Sequence, residues 1–240
     1  MGQYHVNVAT GISAYEVAGI YDANAERARE VAERFRVAPF TELEALIEAS
    51  DAVVVAVPTV SHFQVARKAL EMGRHVLVEK PMTETVLQAS ELVELARSRS
   101  LILQVGHVER FNGAVMELSK IVDRPLLIES RRQAPYNNRI NDVGVVLDLM
   151  IHDLDIILNL VNSRIKSVYA RGVIAYGSHE DIAVATLHFE SGCIAVLNAS
   201  RASQSKIRTL TISQESAFIV LDFSSQDIDI HRQAQSAYLM

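Results

Sequence analysis

The hydrophobic pattern of the chain changes its period once, near residue 106. Before that point, short apolar runs alternate with stretches of helical spacing. Residues 52–57, Ala-Val-Val-Val-Ala-Val, make a continuous run of strand length that Pro58 stops. Such a run predicts a strand buried on both faces. Residues 75–78 and 101–105 repeat the pattern, and residues 17–21 give a shorter version that ends at Asp22. Between the runs, Ala28, Val31, Ala32 and Phe35 recur at helical spacing within residues 23–35. Thr41 with Glu44 and Ser61 with Gln64 have capping-box spacing for further helices, and Gly73 suits the position just past the second of these. Residues 86–98 predict another helix. Strands alternating with helices predict a parallel sheet.

After Gly106 the texture is different. Residues 112–122 predict a helix, residues 126–134 a strand, and residues 145–161 a long helix that is apolar nearly all round. From Ile165 onward the segments 166–176, 182–189, 193–200, 208–213, 217–222 and 227–231 all read as strands, with Glu190-Ser191-Gly192 as a hairpin loop. Successive strands joined by short turns predict an antiparallel sheet. The expected organisation is therefore an α/β domain over residues 1–107 and an α+β domain over residues 108–240.

Composition narrows the partners. The chain has 240 residues, 49% hydrophobic and 22% charged, enough for two cores of ordinary globular character. A net charge of −6 gives no electrostatic reason to expect nucleic acid or an anionic membrane, and no apolar run reaches transmembrane length. Cys193 is the only cysteine, so no internal disulfide is possible, which suits a cytoplasmic protein.

The chemistry concentrates at the ends of the predicted parallel strands. His75-Val76-Leu77-Val78 runs straight into Glu79-Lys80-Pro81. A buried strand ending this way delivers two charged heads to the sheet edge where ligands bind in open α/β folds, and Pro81 stiffens the turn behind Lys80. The bland alternative is a surface ion pair and a turn. Pro58-Thr59-Val60-Ser61-His62 and Gly106-His107-Val108-Glu109-Arg110-Phe111 follow two other strands at the same edge; each alone reads as a loop and a helix cap. Asp22, at the end of an early strand, could bind an adenosine ribose and repel the extra phosphate of NADP; it could equally be an acid favoured by a helix N-terminus. Gly2 stands where the last glycine of a Gly-x-Gly-x-x-Gly turn would stand. In the long apolar helix, Asp148, His152 and Asp155 share one face at i, i+4, i+7. Charges on a buried helix need a partner or a ligand, and a carboxylate one turn before a histidine can orient it and raise its basicity. A buried structural network is the other reading. A zinc site lacks third and fourth ligands at recognisable spacing, so no metal is expected.

The order Pro58-Thr59-x-x-His62, Glu79-Lys80-Pro81, Gly106-His107-x-x-Arg110-Phe111 and Asp148-x-x-x-His152-x-x-Asp155 resembles the glucose-fructose oxidoreductase/inositol dehydrogenase (Gfo/Idh/MocA) family over essentially the whole chain. The resemblance implies an α/β Rossmann domain followed by an α+β domain with an open antiparallel sheet. It implies NAD, with NADP disfavoured by Asp22, and hydride transfer between nicotinamide and a ring hydroxyl of a sugar or nucleotide sugar. Residues 106–112 and 142–158 are most similar to members acting at the 3-hydroxyl of UDP-N-acetylglucosamine. Lys80, His152 and Asp148 are implied as catalytic, with His152 the general acid/base. Gly2, Asp22, Pro58, Thr59, His62, Glu79, Lys80, Pro81 and Gly106 are implied at the cofactor, and the Lys80-Pro81 peptide is expected to be cis. Arg110, Arg132, Arg139 and Asp155 are candidates for the substrate, arginine being suited to a diphosphate. A homo-oligomer formed through the antiparallel sheet is expected. Relative to the family pattern, the first strand and the start of the glycine motif are missing and the carboxyl-terminal domain is expected to be incomplete. A non-catalytic dinucleotide- or sugar-binding regulator on the same fold, or an inactive fragment, are the alternatives.

Overall fold

The computed structural model describes residues 1–136 and 143–232. Arg139, one of the arginines assigned to the substrate, lies outside them. The chain forms two compact units, Met1–Gly106 and His107–Met240, a division one residue before the boundary expected from sequence.

Unit 1 is built on a three-stranded parallel sheet, β1 (Ala52–Val55), β2 (His75–Val78) and β3 (Leu103–Val105), in that spatial order. Five helices accompany it: α1 (Gly2–Ala9), α2 (Ala25–Phe35), α3 (Leu43–Glu48), α4 (Thr59–Glu71) and α5 (Val86–Ser98). Val53, Val55, Val76 and Val78 point into one core with Leu70 of α4 and Leu92 of α5. Two expectations are corrected here. β1 is not buried on both faces: Val53 and Val55 are enclosed while Val54 is 48% exposed, because the core gathers on one side of the strand. The run 17–21 contributes a single parallel bridge, Ile20 with Pro39, rather than a strand. Gly19 sits beside that bridge, where a Cβ would stand 2.5 Å from the Ala38 carbonyl oxygen, so the approach requires glycine.

Helix ends also differ from the spacing argument. α3 starts from Glu42 and α4 from Pro58, neither with a side-chain cap, so Thr41 and Ser61 do not act as predicted. The reciprocal capping box is at α5, where Thr85 and Gln88 exchange bonds. Gly73 follows α4 at φ +78°, in the left-handed region that ends helices.

Unit 2 contains a seven-stranded sheet of β4 (Leu127–Gln133), β5 (Ile165–Val173), β6 (Ile182–Phe189), β7 (Ile194–Ser200), β8 (Ile207–Gln214), β9 (Ala217–Asp222) and β10 (Asp227–His231), in the order β10-β9-β8-β4-β7-β6-β5. It is open and mostly antiparallel. This is the open antiparallel sheet expected from sequence, with one parallel pair at its centre, β4 with β7; β4 enters from a helix rather than a hairpin and so is free to take that direction. One face packs on α6 (Gly113–Ile121) and α7 (Ile151–Val161) through Leu118, Ile156, Ile157, Leu197, Leu210 and Ile212. The predicted helix 145–161 is not uniform: Val146–Met150 is a π-helical turn, and the α-helix begins at Ile151. Among the described residues no helix is long and apolar enough to cross a membrane, and no group of three or more His, Cys, Asp or Glu could hold a metal ion.

Candidate functional site

In unit 1 the three strands are parallel, so their carboxyl ends come to one edge. β1 runs into Pro58 and Thr59, β2 into Glu79-Lys80-Pro81 and β3 into Gly106. Backbone bonds fix these exits: Glu79 N–H donates to Val55 O at 3.0 Å and Gly106 N–H to Val78 O at 2.8 Å. Glu79 is 5% exposed, and its Oε1 lies 2.6 Å from His5 Nε2 of α1. A Cβ on Gly106 would stand 3.2 Å from Glu79 Oε2, so glycine there leaves the carboxylate its room. Lys80 is half-buried, and the Lys80-Pro81 peptide is cis as expected.

His62 is placed differently from the sequence reading. It is 2% exposed, with Nδ1 2.8 Å from Pro81 O and Nε2 2.9 Å from Val57 O. It joins the loops after β1 and β2, with both ring nitrogens on backbone carbonyls. Thr59 is likewise buried. Asp22 lies just before α2: its Oδ1 accepts from Asn24 N–H at 2.8 Å and Oδ2 is 3.7 Å from Arg27. Its side chain remains about one third open, 34% exposed, which leaves room for a ribose hydroxyl. Gly2 opens α1 with Met1 as its cap.

In unit 2 Asp148 lies in the π-helical turn and His152 one residue into α7. Turns of this kind are frequent at functional sites. Arg201, just past β7, places Nη2 3.7 Å from Asp148 Oδ2 and donates to Val143 O at 3.0 Å. The turn is capped by Glu180, whose backbone carbonyl accepts from Val145 N–H at 2.9 Å and whose Oε1 accepts from Val146 N–H at 3.1 Å. A Cβ at Gly144 would collide with that Glu180 carboxylate. The Glu180 loop is itself held by Asp181, whose Oδ2 accepts three backbone N–H groups, those of Tyr176, Ala175 and Gly177. These bonds, Tyr176 first, keep its carboxyl below the usual range.

Asp155 is bound by Arg110, with Nε to Oδ2 at 2.6 Å and Nη2 on the other oxygen, and His107 Nε2 is 3.9 Å away. The hydrogen bond to Asp155 raises the Arg110 pKa. The Arg110 side chain is still 44% exposed. Arg132 is not available to a substrate in the way its residue type suggested. It is 2% exposed, donates from Nε and Nη2 to Asp153 Oδ1 at 3.0 and 2.8 Å and from Nη1 to Glu109 at 3.2 Å, and its guanidinium lies 4.8 Å from the Phe223 ring centre. Strand alternation is the cause: Ile128, Ser130 and Arg132 all face the helices. Burial works against the Arg132 charge, but Asp153 and Glu109 outweigh it and raise its pKa. Burial pushes the Asp153 carboxyl up, with Arg132 pulling back.

Sequence reasoning missed His5, Asp153, Glu180 and Arg201. Asp153 had a visible signal, a charge among the apolar residues of a buried helix beside the residues that were chosen. His5, Glu180 and Arg201 act through contacts distant in sequence and had none.

Residues 1–107 match the family described as "Oxidoreductase family, NAD-binding Rossmann fold", and residues 112–220 match the "GFO/IDH/MocA C-terminal domain". The chain is 36% identical over 234 residues to the UDP-N-acetylglucosamine 3-dehydrogenase of Acidithiobacillus ferrooxidans, covering 97% of this chain and 74% of that protein. The crystal structure of that dehydrogenase superposes with a TM-score of 0.92, covering 97% of this chain and 77% of that one. The scyllo-inositol 2-dehydrogenase (NAD(+)) of Bacillus subtilis is 29% identical over 252 residues, 96% of this chain and 73% of its own length.

Proposed function

The chain belongs to the Gfo/Idh/MocA family of oxidoreductases, with an NAD-binding Rossmann fold in its first unit, and from that premise we propose that it transfers hydride between NAD and the 3-hydroxyl of UDP-N-acetylglucosamine. The observation that carries the substrate is the 36% identity, over 97% of the chain, to a dehydrogenase of that specificity. Lys80 and His152 are both present, which favours an enzyme over a regulator on the same fold.

The residues of unit 1 fit a dinucleotide. Asp22 keeps a partly open carboxylate at the start of α2, and the β2 and β3 exits are kept close by the absence of a side chain at Gly106. NAD, when bound, supplies the carbon that takes the hydride. The residues of this chain do the rest. The Lys80 ammonium donates a hydrogen bond to the hydroxyl oxygen and favours the alkoxide that develops on it. His152 takes the hydroxyl proton on an imidazole nitrogen as the ring carbon gives up its hydrogen with both electrons of the C–H bond, and the ketone forms. Asp148, with Arg201 beside it, orients the histidine without moving the proton itself. Arg110, and Arg139 with it, are assigned to the diphosphate, Arg110 by exchanging Asp155 for phosphate oxygens.

Assaying the purified enzyme with UDP-N-acetylglucosamine and, separately, with scyllo-inositol, each with NAD and NADP, tests this reading. NADH is expected to form with the nucleotide sugar. NADP should lower kcat/KM by on the order of tenfold, about 1.4 kcal/mol, because the Asp22 carboxylate faces its extra phosphate. Faster turnover of free inositol would reassign the substrate, and a preference for NADP would remove Asp22 from the argument.

We assign the uncovered face and edge of the unit 2 sheet to a second copy of the chain. The edge strand β5 is exposed along its whole length, and Val168, Tyr169 and Val173 are 59%, 62% and 55% exposed. Val168 lies on one face of this strand and Tyr169 and Val173 on the other, so the edge offers apolar side chains on both sides of an unpaired backbone, which suits pairing with another chain. Val168→Lys combined with Tyr169→Glu should reduce the sedimentation mass to that of a single chain; an unchanged mass would place the contact elsewhere. We place the reaction in the cytoplasm, a reducing compartment in which the buried Cys193 stays a thiol.

A further inference from the structure

The helix that carries His152 could bury more than one of its faces. Asp153, Ile156, Ile157 and Val161 of α7 are the buried residues, so the stripe turned to the sheet has a charged residue near its middle. At roughly 100° per residue, Ile151, Leu154 and Leu158 form a neighbouring stripe with no polar member, about a third of a turn away, with the buried Val161 at the border of the two. Leu158 on that stripe is 43% exposed. Leu154 already packs against the core from the border of that stripe, so a turned helix would enclose Ile151 and Leu158 and release Asp153 while uncovering Ile156; the two faces compete, and the turn would carry His152 away from its present flank.

We propose that the Arg132–Asp153 pair is the rotational lock of this helix, two positioning residues that choose which face meets the sheet and thereby fix the direction of His152. The geometry suits a lock. Both side chains are buried, 2% and 1% exposed, and two nitrogens of the guanidinium grip one carboxylate oxygen at 3.0 and 2.8 Å. The guanidinium has no freedom of its own, because Glu109 holds Nη1 at 3.2 Å and the Phe223 ring lies 4.8 Å from its centre. Turning α7 would take Asp153 away from Arg132 and leave that guanidinium buried with Glu109 as its remaining ion-pair partner, and breaking a buried pair in this way is strongly destabilising. A polar group in an apolar seam fixes register in this way in coiled coils. The inference rests on His152 being the proton acceptor, but the lock can be read without turnover.

The test uses three variants. Arg132→Met with Asp153→Leu replaces the pair by apolar groups of similar volume, a change that such pairs often tolerate in stability. Asp153→Asn keeps an acceptor for Arg132. Arg132→Lys keeps the charge and loses the two-pronged grip. Two readouts are taken at a temperature well below each variant's Tm: kcat, and the ¹⁵N resonances of the His152 ring, identified by their loss in His152→Gln. In the apolar pair, kcat is expected to fall by at least tenfold and the His152 resonances to shift or split, with NAD affinity unchanged. Asp153→Asn should stay within a fewfold of the parent in both readouts, and Arg132→Lys should fall between. If the apolar pair does not fold, Arg132→Lys carries the test: parent kcat with parent resonances overturns the lock. Parent values in a folded apolar pair overturn it as well, as does an Asp153→Asn variant as impaired as the apolar pair, since Asp153 would then act by charge. A parent enzyme without sugar turnover would defeat the proposed reaction, while the resonances would still decide the lock.

Discussion

Replacing His152 with Gln is expected to lower kcat by ~10²–10⁴-fold, the range usual for loss of a general acid–base group. The side chain lies on a flank of α7, two residues past a π-helical turn capped by Glu180, and so on a well-anchored element. NAD affinity should change little, because the cofactor belongs to unit 1. Asp148→Asn should cost less than the histidine change, since its part is to orient the imidazole. Stopped-flow turnover and fluorescence titration of NAD on the same preparations separate the two quantities. Turnover within about threefold of the parent, an effect of only about 0.6 kcal/mol, would leave His152 a structural residue of a buried helix.

Replacing Lys80 with Met is expected to cripple turnover by on the order of 10²–10³-fold, the effect of removing one donor to a developing oxyanion. Met keeps much of the apolar stem and removes the ammonium. The alternative is that Lys80 is a half-exposed lysine in an ordinary turn. In that case its removal costs about 1 kcal/mol of stability or less and leaves kcat alone. Measuring Tm and kcat together distinguishes the two: a parent Tm with a collapsed kcat supports the oxyanion role, and a parent kcat ends it. Lys80→Arg should recover only part of the activity, because a planar fork does not occupy the position of a compact point donor.

Much of this was written in local pattern. Runs rich in β-forming apolar residues and bounded by Pro58, Pro81 and Gly106 marked the parallel strands, because such a run needs at least one face buried, as Val53 and Val55 of β1 are. Residues 86–98 carried both helical spacing and composition, and the helix falls there. The strands after Ile165 were legible because a sheet covered on one face repeats every second residue, as β6 does in its alternating burial. The Glu79-Lys80-Pro81 and Asp148–His152 motifs were visible for the same reason: charges attached to long apolar segments are unusual enough to mark a position.

Tertiary structure decided what depends on partners distant in the chain. Spacing offered capping boxes at Thr41 and Ser61, but a cap needs a free backbone N–H at the right helix end, and the packing of α3 and α4 set those ends elsewhere. Residues 17–21 look like a strand in isolation, and a strand exists only where a neighbour offers it a ladder; here one bridge to Pro39 is what the fold supplies. The direction of β4 beside β7 is a matter of connection, which no window of residues encodes. Arg132 shows the limit most clearly. Its residue type suits a phosphate, and only the alternation of β4 against α7 turned it inward, where Asp153 and Glu109 meet it and burial makes the pairing obligatory.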